Sequence, residues 1–137
     1  MINLAQTERR IQQLADLIHA PASTLPTYGY SKQDGTPHIE VNELAYYYVN
    51  LDRDTKTFDR KTSDLDVLLY WVFIDVTSVM ASYYAKAHRD PKINSRRIRF
   101  EHQLTLLEVI NHDWKQRREQ EIAEILKDSP YRDLSLN

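Results

Sequence analysis

The sequence predicts one α+β domain, and three observations support this fold class. Residues 63–89 form a long apolar stretch without glycine or proline, which is typical of a central helix. Residues 25–61 contain both glycines of the chain and short runs that alternate between apolar and polar, which is typical of strands. Helical periodicity returns after residue 95. Because 137 residues suit one domain, we assign 1–137 to a single domain.

The central helix is predicted to run from about residue 63 to 89. Its apolar residues follow the helical period, and further apolar residues lie off that stripe, so the helix should be covered on more than one side. Ser63 is the predicted N-cap, with Asp66 at the capping-box position. Asp90 precedes a proline and therefore ends the helix, since that position avoids the α region.

The flanking segments predict the remaining elements. Asp34-Gly35 is a hairpin signal between two strands, and the sheet is expected to be small and antiparallel, with three to four strands. Asp113 is the predicted N-cap of the last helix. The predicted elements are an N-terminal helix at 3–19, strands near 28–30, 38–41, 45–51 and 55–61, two helices after the central one at 95–110 and 113–127, and a surface strap at 131–137.

Composition and motifs argue against most catalytic chemistries. The chain has no cysteine, only two glycines, and neither a phosphate-binding glycine loop nor an H-E-x-x-H motif. We therefore predict no catalytic residue, no metal and no cofactor. A metal site built from His88, His102 and a carboxylate such as Glu101 stays open as an alternative, as does an enzyme with an unrecognised site.

The termini and the charge predict where the protein works. No secretory signal is visible at the N-terminus, and no apolar run free of charge approaches the roughly 20 residues that span a bilayer. The net charge is only −2, so no strong global field attracts nucleic acid or membrane. We therefore expect a cytoplasmic protein without a membrane partner.

Asp75 is a carboxylate in the middle of the apolar central helix. A buried carboxylate must be paired, or its pKa shifts and it is neutralised. We predict a structural ion pair with one of Arg96, Arg97 or Arg99. An exposed position and a functional carboxylate are the alternatives. The same basic run could instead contact phosphates, which makes a nucleic-acid-binding regulator the alternative function.

Charge is distributed unevenly along the chain. Residues 33–85 contain nine acids and four bases, whereas residues 86–99 contain six bases and one acid. The sheet region is also rich in tyrosine, a residue enriched at protein interfaces. Alternation along strand 45–51 places Tyr46 and Tyr48 on one face, which we expect to be the less buried one.

The C-terminal half resembles the immunity protein 63 family. The residues that carry the resemblance are Asp66, Leu68, Leu69, Tyr70, Trp71, Phe73, Asp75 and Thr77 in the central helix, Arg96, Arg97, Phe100 and Gln103 in the next helix, and Trp114, Pro130 and Tyr131. The resemblance implies a bacterial immunity protein of a polymorphic toxin system. Such a protein binds a cognate toxin domain and blocks it stoichiometrically, without turnover.

The resemblance implies that the chain has a toxin-binding surface, and we expect this surface on the acidic, tyrosine-bearing sheet. If the toxin is a nuclease, an acidic surface would complement its basic nucleic-acid site. The interface candidates are Asp34, Glu40, Glu43, Tyr46, Tyr48, Asp52 and Asp54. The sequence predicts neither the identity of the toxin nor the oligomeric state.

Overall fold

A computed structural model describes residues 1–52 and 55–133, with the side chains of 52, 55, 57 and 58 excepted. It confirms the α+β class and the long apolar helix. The elements are α1 (Leu4–Leu17), β1 (Thr27–Tyr28), β2 (Asp34–Val41), β3 (Tyr46–Asp52), β4 (Thr55–Thr62), α2 (Leu65–Ala87), α3 (Ser95–Ile110) and α4 (His112–Asp128), with a 3₁₀ turn at Ala22–Thr24. The contacts group into two compact units, Met1–Ile74 and Asp75–Asn137. The assignment of 1–137 to one domain stays a prediction.

The N-terminal unit contains a four-stranded sheet in the order β1-β2-β3-β4. β2, β3 and β4 pair antiparallel, whereas β1 pairs parallel to β2, so the prediction of a purely antiparallel sheet is wrong at β1. The predicted hairpin at Asp34-Gly35 is also wrong, because both residues lie within β2. The chain from β1 instead loops back through Gly29, whose φ of 83° suits glycine and whose N–H donates to the carbonyl of Ile39 at 2.8 Å.

Tyr46 and Tyr48 lie in the core of this unit, each only 1% exposed. They share a sheet face with Ile39, the cross-strand partner of Tyr48. The backbone N–H of Ile2 donates to Tyr46 Oη at 3.1 Å, which places the start of α1 over this face. The expectation that Tyr46 and Tyr48 face outward is therefore wrong, because α1 covers their side of the sheet.

Helix starts in both units are fixed by side-chain caps. Asp64 caps α2, since its Oδ1 accepts the backbone N–H of Asp66 at 2.9 Å, so the predicted cap at Ser63 is wrong by one residue. Asn111 ends α3 and also caps α4, where the prediction had named Asp113. In each case the carboxylate or amide that reaches the free N–H groups lies just before the first helical turn.

The long helix α2 corrects the expectation that no apolar run approaches the length needed to span a bilayer. Among the described helices it is the one whose length and composition would allow it to cross a bilayer, with 44% of its most apolar window buried. The core helix of a soluble protein meets the same criteria. Leu68, Val72 and Phe73 are fully buried, as in such a core helix. The absence of a membrane partner stays a prediction.

The C-terminal unit is organised around a buried polar network. Gln103 is 1% exposed, among buried apolar residues of α3 and α4 that include Phe100 and Leu107. Its Nε2 donates to Thr77 Oγ1 at 3.2 Å, and its Oε1 accepts from Arg118 Nε at 3.0 Å. One amide thus links three helices of this unit, since Thr77 lies on α2 and Arg118 on α4.

The segment after α4 is tied to the start of α3, as the predicted strap requires up to Asp133. Arg97 Nε lies 2.7 Å from Asp133 Oδ2, and the backbone N–H of Asn94 donates to Asp133 Oδ1 at 2.7 Å. Arg96 Nη2 donates to the carbonyl oxygen of Pro130 at 3.0 Å. Residues 134–137 of the predicted strap lie outside the described residues.

The three arginines predicted as candidate partners of Asp75 also make other contacts. Arg96 and Arg97 direct their guanidinium groups to the segment after α4, and Arg99 lies 5.3 Å from the ring of Phe100. The pairing of Asp75 with one of these arginines stays a prediction. The backbone carbonyls of Ser129 and Pro130, just after α4, accept from Arg96, and the carboxylate of Asp133 accepts from Arg97. Asp75 itself is half-buried.

Asp133→Asn is expected to reduce the acid sensitivity of the fold. Hydrogen bonding from the Asn94 backbone N–H, and then the Arg97 guanidinium, hold the pKa of Asp133 below its ordinary value of 3.8. A lowered folded-state pKa contributes stability above the unfolded-state pKa, and this stability is lost as the pH falls through the folded-state value. Melting temperatures from pH 6 to pH 2 should therefore fall less steeply in Asp133→Asn.

Asp128→Asn is the control for this titration, because Asp128 is an exposed carboxylate at the end of α4. It should preserve the wild-type pH dependence. Equal slopes for wild type and Asp133→Asn would show that the strap contact does not contribute to acid unfolding.

Candidate protein-binding surface

The predicted interface residues separate into three groups in the structure. Asp34, Glu40 and Glu43 are exposed, as an interface requires of the free protein. Tyr46 and Tyr48 are core residues. The side chain of Asp52 and the whole of Asp54 lie outside the described residues, so their roles stay predictions. The acidic half of the predicted surface is therefore present on β2 and on the turn that follows it.

Glu40 lies on the sheet face opposite Tyr48, together with its cross-strand partner Tyr47. His38 lies on the same face, is 5% exposed, and has its Nε2 3.8 Å from Glu40 Oε2. Its Nδ1 is buried without a hydrogen-bond partner among the described residues. This face therefore combines an exposed carboxylate, a half-buried tyrosine and a buried imidazole, of which only the carboxylate was singled out by the sequence.

Asp34 lies at the start of β2, whereas Glu43 lies in the turn that follows the other end of the strand. Its Oδ1 accepts the backbone N–H of Thr36 at 2.9 Å. Hydrogen bonds from the side chain and then the backbone of Thr36 lower the pKa of the Asp34 carboxyl group. The group is therefore negatively charged at neutral pH, and the exposed acids extend along the whole of β2.

The turn between β2 and β3 is held by a single amide side chain. Asn42 Oδ1 accepts the backbone N–H groups of Leu44 at 2.8 Å and Ala45 at 2.9 Å. Asn42 Nδ2 donates to Tyr47 Oη at 3.2 Å, and the Asn42 backbone N–H donates to the Ala45 carbonyl at 3.1 Å. Such local side-chain bonds fix a turn without help from the rest of the fold.

Leu44 is the residue of this turn that sequence reasoning missed. It is 80% exposed, the largest exposure among the large apolar residues that the structure describes. It follows the exposed acid Glu43, for which no ion-pair partner occurs among the described residues. The signal was available in the sequence, because an apolar residue in a polar turn between two strands has no core position to fill.

The basic residues of the C-terminal unit form a shallow groove instead of a continuous stripe. Lys86, Arg89 and Arg99 line a groove of about 310 Å³ together with Ser82 and Ser95. The two arginines at the start of the basic run contribute nothing to it, since they bind the segment after α4. Of the basic run that the nucleic-acid alternative would use, Arg99 is the residue that lines this groove.

The histidines considered as metal ligands are held apart by a tyrosine. The rings of His88 and His102 stack on Tyr84 with centroid distances of 3.9 and 3.7 Å. Two rings this close to a third, and nearly parallel to it, must occupy its opposite faces. Their nitrogens therefore do not converge on one ion. Across the part of the chain that the structure describes, no cluster of three or more potential ligands could hold a metal.

Comparison with known proteins identifies one similarity. The family described as Immunity protein 63 matches residues 42–124, which is more than half of the chain. This match begins at Asn42, at the turn between β2 and β3, and ends within α4. No curated protein and no solved structure matches the chain.

Proposed function

Because the chain belongs to the immunity protein 63 family, we propose that it neutralises a cognate bacterial toxin domain by binding it stoichiometrically and occluding its active surface. The family match is the observation that carries this proposal. Family membership supports the non-enzymatic mode of action in this proposal, which is binding without turnover. The polymorphic toxin system and the toxin itself are part of the proposal.

The acidic side of β2 is the proposed contact surface for the toxin. Asp34, Glu40 and Glu43 are exposed there. Complementary charge steers two proteins together and selects between partners. A nuclease toxin, whose substrate is polyanionic, would present a basic site of matching sign. The protein would act in the cytoplasm, where such a toxin reaches its substrate.

Replacing Asp34, Glu40 and Glu43 together by lysine should slow association with the toxin by roughly tenfold or more at low salt, since exposed interfacial charges act mainly on the association rate. Stopped-flow or surface-plasmon kinetics over a range of salt concentrations would measure the change. The melting temperature should fall only slightly, because all three side chains are exposed, although Asp34→Lys removes the acceptor of the Thr36 N–H.

A matched control changes the same number of charges elsewhere. Asp113, Glu124 and Asp128 are exposed residues of α4, and their replacement by lysine changes the net charge by the same amount. This control should reduce the association rate much less. Equal losses for both triple variants would show that only the net charge matters, and would contradict the assignment of the surface to β2.

The deciding experiment is co-expression with the toxin domain encoded next to this gene. The probe is the C-terminal domain of the secreted protein encoded directly upstream, expressed in a strain that it kills. Growth should be restored by this chain, and a one-to-one complex should elute from size exclusion. Absence of such a gene, or growth arrest despite soluble expression of both proteins, would contradict the proposed function.

Nucleic-acid regulation is the weaker alternative. Arg96 and Arg97 engage Pro130 and Asp133, so the basic run does not present free cations along its length. A gel shift with generic DNA and RNA at low salt distinguishes the two functions. Strong salt-sensitive binding would favour the alternative, because phosphate contacts release counterions.

A further inference from the structure

We propose that Leu44 is the apolar anchor of the toxin interface, inserted into a pocket of the partner that is bordered by basic residues. The proposal rests on the proposed function and deepens it by naming the contact. The exposure of Leu44 is the observation that carries it. Leu44 is 80% exposed, although an apolar side chain of this size gains free energy when it is removed from water. Nothing in the described part of the chain covers it.

The backbone of the turn that carries Leu44 is held by local hydrogen bonds. The Asn42 side chain accepts two backbone N–H groups, one of them from Leu44 itself, and donates to Tyr47 Oη. The Asn42 and Ala45 backbones also pair across the turn. A partner that receives Leu44 therefore meets a fixed backbone, and little backbone conformational entropy is lost on binding. Preorganisation of this kind is what raises affinity at small contacts.

The surroundings of Leu44 define the chemistry of the partner. Glu43 precedes it and Glu40 lies on the strand that leads to it, and both are exposed. An apolar centre with a charged rim is the usual organisation of a protein interface. The occupant is therefore a protein surface with an apolar pocket and basic residues at its border. This is the surface we expect of a nucleic-acid-directed toxin near its active site.

Two clefts next to the turn give the partner room to engage. One, of about 450 Å³, is lined by Met1, Ile2, Asn3, Leu4, Val41, Asn42 and Glu43. The other, of about 320 Å³, is lined by Glu40, Val41, Asn42 and Tyr47. Both are lined by Val41 and Asn42, so both depressions border the start of the turn. Side chains of the partner that flank its pocket can occupy these depressions while the leucine is buried.

Leu44→Asp tests the anchor, with the upstream-encoded toxin domain as the probe. The Kd of the Leu44→Asp variant for this toxin domain should be at least about 30-fold higher than that of the wild type. This loss of affinity is typical of a central interface residue. Leu17→Asp is the matched control, because Leu17 is 53% exposed on α1. This control should bind with the wild-type Kd, and both variants should keep the wild-type circular dichroism spectrum and melting temperature.

A second pair of variants tests the rigidity of the turn. Asn42→Ala removes the acceptor of two backbone N–H groups, and the Kd should rise by about three- to tenfold, since the turn must be ordered on binding. Asn42→Asp retains that acceptor and should bind more tightly than Asn42→Ala. Equal Kd values for Asn42→Ala and wild type would overturn the preorganised turn.

The outcomes separate this inference from the function on which it rests. Failure of the wild-type chain to bind or protect would overturn the proposed function itself. Tight wild-type binding with an unchanged Kd for Leu44→Asp would overturn the anchor alone. A dimer of the free protein that Leu44→Asp dissociates would also overturn it, because a second copy of the chain would then occupy the leucine.

Discussion

Tyr46→Ala should destabilise the N-terminal unit by about 3–5 kcal/mol, the range observed when a buried aromatic ring is removed from a core. The ring is 1% exposed and lies on the sheet face that α1 covers. Its loss leaves a cavity that the paired strands cannot close without breaking their register. Urea denaturation followed by circular dichroism would measure the free energy of unfolding.

Two companion variants assign this loss to the ring. Tyr46→Phe removes only the hydroxyl oxygen that accepts the Ile2 N–H, and should cost about 1 kcal/mol. Tyr47→Ala, on the neighbouring and half-buried position, should cost clearly less than Tyr46→Ala. If Tyr46→Ala retained the wild-type stability and lost only toxin binding, the ring would belong to the interface and the assignment to the core would fail.

Gln103→Leu should destabilise the C-terminal unit by about 2–4 kcal/mol, although leucine has a similar volume and is more apolar. The leucine cannot accept from Arg118 Nε or donate to Thr77 Oγ1, so a guanidinium group and a hydroxyl lose a buried partner. Removing one member of a buried network costs more than a typical hydrogen bond contributes, because the remaining groups stay desolvated. Thermal and urea unfolding would both report the loss.

The controls for this variant distinguish polar satisfaction from side-chain volume. Gln116→Leu makes the same substitution at an exposed position of α4 and should change stability by about 0.5 kcal/mol or less. Gln103→Glu preserves the acceptor for Arg118 and should cost less than Gln103→Leu at neutral pH. A Gln103→Leu protein as stable as the wild type would show that packing alone holds the three helices of this unit together.

The helices could be predicted from the sequence because their signals are local. The apolar period and the absence of glycine and proline define α2 without reference to the rest of the chain, and Asn111 marks the break before α4. The errors at the helix starts are confined to one or two residues. The N-cap of α2, for example, is Asp64 and not the predicted Ser63. Caps compete among neighbouring polar residues, and only the final geometry selects one.

The sheet could be predicted only in part, because its decisive features are non-local. Alternation along β3 shows that Tyr46 and Tyr48 share a face, but not which face α1 covers. The parallel pairing of β1 likewise depends on how the loop after Tyr28 returns. The contacts of Arg96 with Ser129 and Pro130, and of Arg97 with Asp133, depend on where the segment after α4 lies. No local pattern contains that information.

For the candidate surface, the sequence predicted exposed acidic residues but not the exposed apolar residue beside them. The acidic span led directly to Glu40 and Glu43, since exposed carboxylates follow from composition. Leu44 was missed because leucine is usually assigned to the core, although its position in a polar turn between two strands was a signal that it is exposed. The family resemblance, by contrast, was confirmed by the match over residues 42–124.

In the turn between β2 and β3, one residue determines the backbone path and its two neighbours form the exposed surface. Asn42 and its hydrogen bonds determine the backbone path, while the side chains of Glu43 and Leu44 project away from the unit. Substitutions at these two positions therefore change the shape and charge offered to a partner at little cost in folding free energy. Under the proposed function, a change in the toxin surface could therefore be matched by changes in two codons of this chain, without an unstable intermediate.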